Sequence, residues 1–402
     1  MKYWRGYLIA AIIAAITIVV NRLASNFSRL VDMVYPYLTR TIQTFLAGWS
    51  GGLDFCVWQV AAVVLVLLGL VTVVLMVILR WNPIQWFGWI LAAVACIWLF
   101  NTGIYGLNYH AGPLADDIRL NVTEYTLEEL EAATIYYRDQ ANELSDLVDR
   151  DGSGNVIFPE FEVLAQQAAN GFQNLTYHKS FSIFAGSTAP VKKLGWSDMY
   201  TSMGLTGITV GMTGEAAVNP EIPDVGIPFA MCHEMAHRMC IAIDRDANFG
   251  AFLACQANES KEFQYSGYLM AYQYCYDALH AQGSAEATTA AARINAGVNA
   301  NLKADLDAYE RFFHENTKKS ASRMATNLSN RYMKANSIEE NPEANTQVGD
   351  LLVSWHIQEI VLPSQLEADV PDFDPYDESQ VDLSGIVNAK DTASEEEAEE
   401  KD

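Results

Sequence analysis

What this sequence lacks first is positive charge. It carries 25 Lys and Arg against 49 Asp and Glu, a formal net charge of −24 over 402 residues. There is no dense basic cluster, so the electrostatic footprint of a nucleic-acid binder is missing and no nucleic-acid partner is expected. Cysteine is sparse as well. Six in a chain of this length do not make a disulfide framework. Cys56 and Cys96 fall in apolar blocks. Cys232, Cys240, Cys255 and Cys275 surround one motif but lack the paired close repeats of a structural zinc site, and they read as thiols, with one or two disulfides as the alternative. Of seven histidines, His110, His178, His280, His314 and His356 stand alone and read as structural or exposed. No fixed-period repeat appears.

Charge is absent in another, more local sense. From Val57 to Leu79 there is none at all. This is the surest of three apolar blocks, at about 7–23, 57–78 and 84–107, each near the ~20 residues that cross a hydrocarbon layer. Trp4, Trp49, Trp81, Trp86 and Trp89 sit at or near their ends, as interfacial aromatics do. Lys2 and Arg5 before the first block would also suit a cleaved leader, but Arg22 and Leu23 stand where small residues should precede a cleavage point. The sequence therefore predicts a multi-pass protein of the cell membrane with the lipid bilayer as a partner.

Sidedness is weakly coded. Lys2, Arg5 and Arg80 fall on one side and Arg22, Arg29 and Arg40 on the other. The tight Arg80-Trp81-Asn82-Pro83 turn and the basic N-terminus favour a cytoplasmic N-terminus, which puts the large domain outside the cytoplasm.

Three regions follow: an anchor over 1–107, a main domain over 108–362 and an acidic tail over 363–402. From Glu367 to Asp402 there are fourteen acids and two lysines. That composition reads as a solvated, disordered tail. Ala24 to Phe55 reads as a loop between the first two spans, with amphipathic stretches at 30–34 and 38–46 suited to the membrane surface. In the main domain, Thr126 to Val148 is a helix with Thr126 and Glu129 as a capping box. A second helix is expected from Pro159 to about Leu175. Leu205 to Thr213 is rich in β-branched residues and reads as a strand. Further helices are expected over about Pro228–Ile241, from Asp244 on, and over Tyr265–Leu279, Ala285–Phe313 and Ser320–Lys334. The fold class is mainly α, with a small sheet.

The chemistry concentrates at His233-Glu234-Met235-Ala236-His237. Residues four apart share a helix face, so both imidazoles can reach one metal ion. Glu234 follows the first ligand, where a carboxylate can take a proton from an activated water. A catalytic zinc site needs a third protein ligand and one open position. Asp244, Asp246, Glu259 and Glu262 qualify. Asp246 is the choice, in the first turn of the following helix, because Asp244 suits the cap of that helix. A tyrosine hydroxyl can assist, with Tyr265 or Tyr268 as the guess. The strand near 207–212 can pair with an extended peptide substrate. These residues point to a zinc-dependent peptidase, with a polar helix face that holds no metal as the alternative.

Cys232 to His237 with Asp246-Ala247-Asn248-Phe249 resembles an uncharacterised bacterial family of membrane proteins carrying a zinc-peptidase motif. Leu107-Asn108-Tyr109, Gly207-Ile208-Thr209, Glu215-Ala216-Ala217-Val218-Asn219 and Tyr265-Ser266-Gly267-Tyr268 strengthen the resemblance. It implies a gluzincin-like, zincin-type α+β metallopeptidase domain behind three spans, acting on a peptide or protein substrate. Two positions depart from the family pattern. Asp246 stands where the family has glutamate, and Cys240 where it has glycine. They leave a catalytically inactive receptor or scaffold as the alternative function. Glu215 also matches the pattern, as a cleft or a surface carboxylate.

A second metal signal spans Asp149 to Glu160. Asp149, Asp151, Ser153, Asn155 and Glu160, with Gly154 at the sixth position, match the spacing of a calcium-binding EF-hand loop. A plain turn of a helical hairpin uses the same residue types.

Overall fold

A computed structural model describes residues 2–338 and 344–369. The chain is mainly helical. Its helices are α1 (Arg5–Asn26), α2 (Ser28–Ser50), α3 (Val57–Ile78), α4 (Pro83–Ile104), α5 (Leu114–Asp117), α6 (Leu127–Leu147), α7 (Phe161–His178), α8 (Ser197–Met203), α9 (Ile227–Arg238), α10 (Asp244–Gln256), α11 (Lys261–Ala281), α12 (Ala285–Asn295), α13 (Ala300–Asn316), α14 (Lys319–Ala335), α15 (Ala344–His356) and α16 (Leu362–Asp369). Three short strands, β1 (Lys192–Lys193), β2 (Gly207–Val210) and β3 (Glu215–Val218), form a mixed sheet in the order β1-β3-β2.

Helices α1, α3 and α4 are each 22 residues and apolar enough to cross a membrane. α1 and α4 lie side by side and run the same way. Their N-terminal ends meet where a Cβ on Gly6 would stand 2.4 Å from the Gly88 carbonyl carbon. Near their C-terminal ends, Asn21 reaches His110, just past α4. α3 stands apart, with Gln59 its only buried residue. Since α3 runs back between the other two in sequence, the start of α1 and the 79–82 turn share one side. The main domain takes the other.

The segment expected as a loop over 24–55 is largely one 23-residue helix, α2. Pro36 sits within it. Its polarity is inverted relative to a helix on a water-soluble protein. Thr39, Arg40 and Gln43 are buried, while Leu30, Met33, Val34, Leu38, Phe45 and Trp49 are exposed. The buried side explains the helix. Thr39 Oγ1 donates to Asn108, Arg40 donates to the Met239 and Ser182 carbonyls, and Gln43 donates to Gly211 O at 2.9 Å. The exposed apolar stripe has the character of an interfacial helix lying on lipid.

α3 joins the sheet without slack. Glu215 is buried and accepts from the main-chain N–H of Val57 and Trp58 at 2.7 and 2.9 Å, so a carboxylate caps the positive end of the helix. Lys192 neutralises Glu215 at 2.7 Å and donates to the carbonyls of Ser50 and Phe55. Gln59 pairs with both backbone groups of Gly195. Glu215 is thus neither a cleft nor a surface residue.

In the main domain the capping box forms as expected, with Glu129 N donating to Thr126 Oγ1 and Thr126 N donating to the Glu129 carboxylate. The helix expected over 285–313 is two. Arg138 donates to Ile294 O at 3.1 Å at the end of the first, and Asn299 caps a new start by accepting from Leu302 N at 2.8 Å. α6 packs on α11, and α9 lies across β2 and β3 against α7, α10 and α11. Tyr137, Phe249, Phe252 and Phe263 fill the space between these helices. The described residues up to Trp355 form one compact unit. The 107/108 division therefore marks where apolar helices end, not a break in packing. From His356 onward, five π-helical residues, Ile357–Val361, lead into α16. The rest of the acidic tail lies outside the described residues.

Candidate metal centre

Pro228 opens α9 in its first turn, where its missing N–H is harmless. Phe229, Ala230, Met231, Cys232, Met235 and Ala236 are buried, so the helix is fixed on most of its circumference. His233 and His237 share the remaining face. Their rings are perpendicular at 87° with Nε2 atoms 3.1 Å apart.

The chain then reverses sharply. Cys240 adopts φ 73°, in the left-handed region that glycine prefers. This explains the glycine of the family pattern. Here the thiol is retained, with Sγ 3.3 Å from Thr39 Oγ1, which can accept its proton. The reversal brings Ile241 O to 2.8 Å from His237 Nδ1. A proton on Nδ1 leaves the Nε2 lone pair facing the site, the arrangement that metal-binding histidines need.

The same reversal delivers Asp244. Its Oδ1 lies 3.3 Å from His237 Nε2, and its side chain is 74% exposed. Among the described residues, His233, His237 and Asp244 are the group whose potential ligand atoms all lie within 4.8 Å of one another. Zinc bonds of about 2.0–2.1 Å in a tetrahedron place ligand atoms about 3.3 Å apart. The measured 3.1 and 3.3 Å separations match that edge. Two imidazoles and one carboxylate are also a zinc donor set, so the residues fit the ion. Asp244's exposure fits a site open on one side.

Asp246, the ligand expected from sequence, is elsewhere. It is buried, accepts from Leu114 N at 2.9 Å and pairs with Arg245 at 2.8 Å. Its role is to staple the segment after α4 to α10. Asp244, expected as a helix cap, makes no capping hydrogen bond. A five-residue turn after α9 reaches the site with the first residue of α10, and Asp246, two residues on in the same turn, points to the opposite side of that helix.

Glu234 is buried beside the cluster and is not part of it. Its Oε2 lies 2.7 Å from Thr209 Oγ1 on β2. Gly207 makes this approach practicable, since a Cβ there would come within 2.6 Å of Glu234 Oε1. β2 pairs only with β3, and its outer edge carries no strand among the described residues.

The electrostatics follow from burial and crowding. Burial pushes Glu234 up to about 7, against the charge of His237 and the Thr209 hydrogen bond. Burial, then the charge of His237, pushes His233 down to about 4. For His237, burial works downward, but the Asp244 hydrogen bond and charge overcome it and raise it. Partial enclosure works to raise Asp244, and the hydrogen bond and charge of His237 outweigh it, holding Asp244 near 2.

Tyr265 is not at the cluster. Its hydroxyl donates to Asp305, which also pairs with Arg150 at 2.7 Å. Tyr268 receives a hydrogen bond from Gln256. The tyrosines that reach the site come from the end of α4. Tyr105 donates to His237 O at 3.0 Å. Tyr109, half-buried, feels the charges of Asp244 and Glu234 and stacks edge-on with Tyr105. Leu107-Asn108-Tyr109, part of the family resemblance, was the available signal for them.

The 149–160 loop does not gather its acids. Asp151 accepts from Ser153 N, Asn155 N and Asn155 Nδ2 at 2.8–2.9 Å. Asp149 pairs with Lys261 at 3.1 Å, and Glu160 precedes α7 without a side-chain cap bond. These hydrogen bonds describe an Asx-type turn.

A family model described as "Protein of unknown function (DUF3810)" matches residues 31–353, most of the chain. The chain belongs to that family. The DUF3810 match opens within α2 and closes within α15, so it takes in α3, α4, the sheet and the whole His233–His237–Asp244 cluster. No curated protein and no solved structure matches the chain.

Proposed function

We propose that this protein is a membrane-anchored, zinc-dependent peptidase of zincin-like, gluzincin-like type. The observation that carries the reading is the convergence of His233, His237 and Asp244 within 4.8 Å, with His237 Nε2 3.1 Å from His233 Nε2 and 3.3 Å from Asp244 Oδ1, and with Glu234 alongside. His233, His237 and Asp244 would hold the ion. Bound zinc supplies Lewis acidity, which brings the pKa of a water toward ~7 and polarises a carbonyl.

The chain's own groups do the rest. Glu234, held by Thr209, takes the proton from the attacking water and passes it to the leaving amine. The open edge of β2 aligns an extended peptide by main-chain pairing. In this reading Tyr109, which packs on Tyr105, takes the role first given to Tyr265 and steadies the developing oxyanion. The substrates are peptide segments close to the membrane, because the end of α4 bonds the main chain of His237 through Tyr105, and α2 packs on the turn that follows the motif helix. With Lys2, Arg5 and Arg80 on the cytoplasmic side, the site faces out of the cytoplasm.

Elemental analysis of the purified protein tests the reading. About one zinc per chain is expected in the wild type, and His237→Ala should lose it. A peptide-library screen should then find cleavage that Glu234→Gln abolishes with zinc retained. Zinc without any cleavage would leave the inactive receptor or scaffold. No zinc, even when it is supplied, would end the peptidase reading.

A further inference from the structure

The deficit of positive charge over the whole chain conceals one basic stretch. Between Glu315 and Glu339 there are five Lys or Arg and no acid. Four of them, Lys319, Arg323, Arg331 and Lys334, lie on α14 and are exposed. None takes part in an ion pair among the described residues. Ala321, Met324, Ala325, Leu328 and Tyr332 recur at the three- and four-residue spacing of one helix face. No residue of α14 is buried, and Met324 and Leu328 are 53% and 58% exposed.

The placement of α14 says what faces this surface. Its last turn is tied to α4. Asn101 donates to Tyr332 Oη at 3.1 Å, and Trp98 Nε1 donates to Asn336 Oδ1 at 2.9 Å. Trp98 lies six residues before the end of α4, about 9 Å along the helix at 1.5 Å per residue. Amphipathic helices that lie in a membrane interface sit about 5–10 Å into the headgroup and acyl boundary. The other end of α14 is tied to α8, where Lys318 N donates to Ser202 O at 2.9 Å. α8 in turn rests on the first turn of α3, through Tyr200 and Trp58. α14 is therefore slung between the start of one membrane-crossing helix and the end of another, both on the same side.

We infer that α14 is an interfacial helix that seats on anionic lipid headgroups, with Met324 and Leu328 in the acyl boundary and Arg323, Arg331 and Lys334 on the phosphates. Lipid is the occupant because the apolar face is continuous with the membrane-crossing helices and the charge complements an anionic headgroup. The inference does not depend on a bound metal or on peptidase activity.

The test uses the full chain in nanodiscs of phosphatidylcholine, with or without phosphatidylglycerol. A Leu328→Cys variant in a Cys96→Ser background carries an environment-sensitive fluorophore. With phosphatidylglycerol present, the probe should report an apolar setting, be quenched by doxyl-labelled lipid and be protected from iodide. Each basic side chain near an anionic surface contributes enough that neutralising three should shift the docked-to-free ratio about 100-fold. The Arg323→Gln, Arg331→Gln, Lys334→Gln variant should accordingly lose the dependence on phosphatidylglycerol. Equal iodide quenching in both discs would overturn the inference. So would a probe shielded from iodide yet not quenched by doxyl-labelled lipid, which would mean that protein covers the helix.

Discussion

Two stretches of this chain advertise metal ligands, and they are built in opposite ways. In the 149–160 loop every central carboxylate already has a protein donor: Asp151 takes three and Asp149 takes a lysine. At the end of α9 three side chains of ligand type face one another instead, and the hydrogen bond between His237 Nε2 and Asp244 is one that an ion would replace. The Nε2 atoms of His233 and His237 and a carboxylate oxygen of Asp244 converge, while the His237 Nδ1 proton is directed to the Ile241 carbonyl. Spacing of ligand-type residues is common to both. What separates them is where the protons go. A loop that satisfies its own acids holds its shape without an ion, whereas ligand atoms converging on one point suit one.

The sharpest way to break this contrast is His237→Ala. On the proposed reading it removes one of three ligands, and zinc affinity should fall by more than the ~10–100-fold typical of losing a mere supporting partner. Titration against a zinc chelator measures it, and an unchanged affinity would remove the cluster from consideration.

Next comes the pair of neighbouring aspartates. Asp244→Ala should weaken zinc binding strongly and leave folding nearly intact. Asp246→Ala should keep zinc and lower stability by about 1–3 kcal/mol, because Leu114 N and Arg245 lose a buried acceptor. Denaturant titration together with metal content separates the two. The opposite assignment would restore Asp246 as the ligand.

Gly207→Ala probes Glu234 without touching it. A Cβ in contact with the carboxylate should displace it and reduce cleavage at least tenfold with zinc content unchanged, a loss of about 1.4 kcal/mol in transition-state stabilisation. Full activity would show that Glu234 does not need its seat on β2.

The smallest effect belongs to the loop. Calcium at millimolar concentration should leave the thermal midpoint of the protein unmoved, and Asp151→Ala should cost only about 1 kcal/mol with or without it. A calcium-dependent rise in the midpoint would make the 149–160 loop a metal site and erase its difference from the α9 cluster.

Much of this architecture is legible from residue order. The three apolar helices follow from runs without charge, the start of α6 from Thr126 and Glu129, and the motif helix from His233 and His237. The losses have specific causes. α2 hides because Pro36 stands inside it and divides one amphipathic helix into two short stretches. β3 hides because Ala216 and Ala217 are poor strand formers that pack well only once α9 lies over them. The break at 296–299 needs the position of Arg138 to be seen. Asp244 suits helix capping, a local role, by its place in the sequence, whereas the turn at Cys240 gives it a distant one.

The Glu215–Lys192 clamp has a spatial consequence. A domain on a flexible tether sweeps out a volume, and its reach is set by the length of the tether. Here α3 enters the sheet through Glu215 with no tether, and α4 ends one residue before Tyr105, which holds the main chain of His237. The height of the cluster above the bilayer is thereby fixed. The protein is in effect a ruler standing on the membrane, and whatever reaches His233 and His237 must present itself at that one mark.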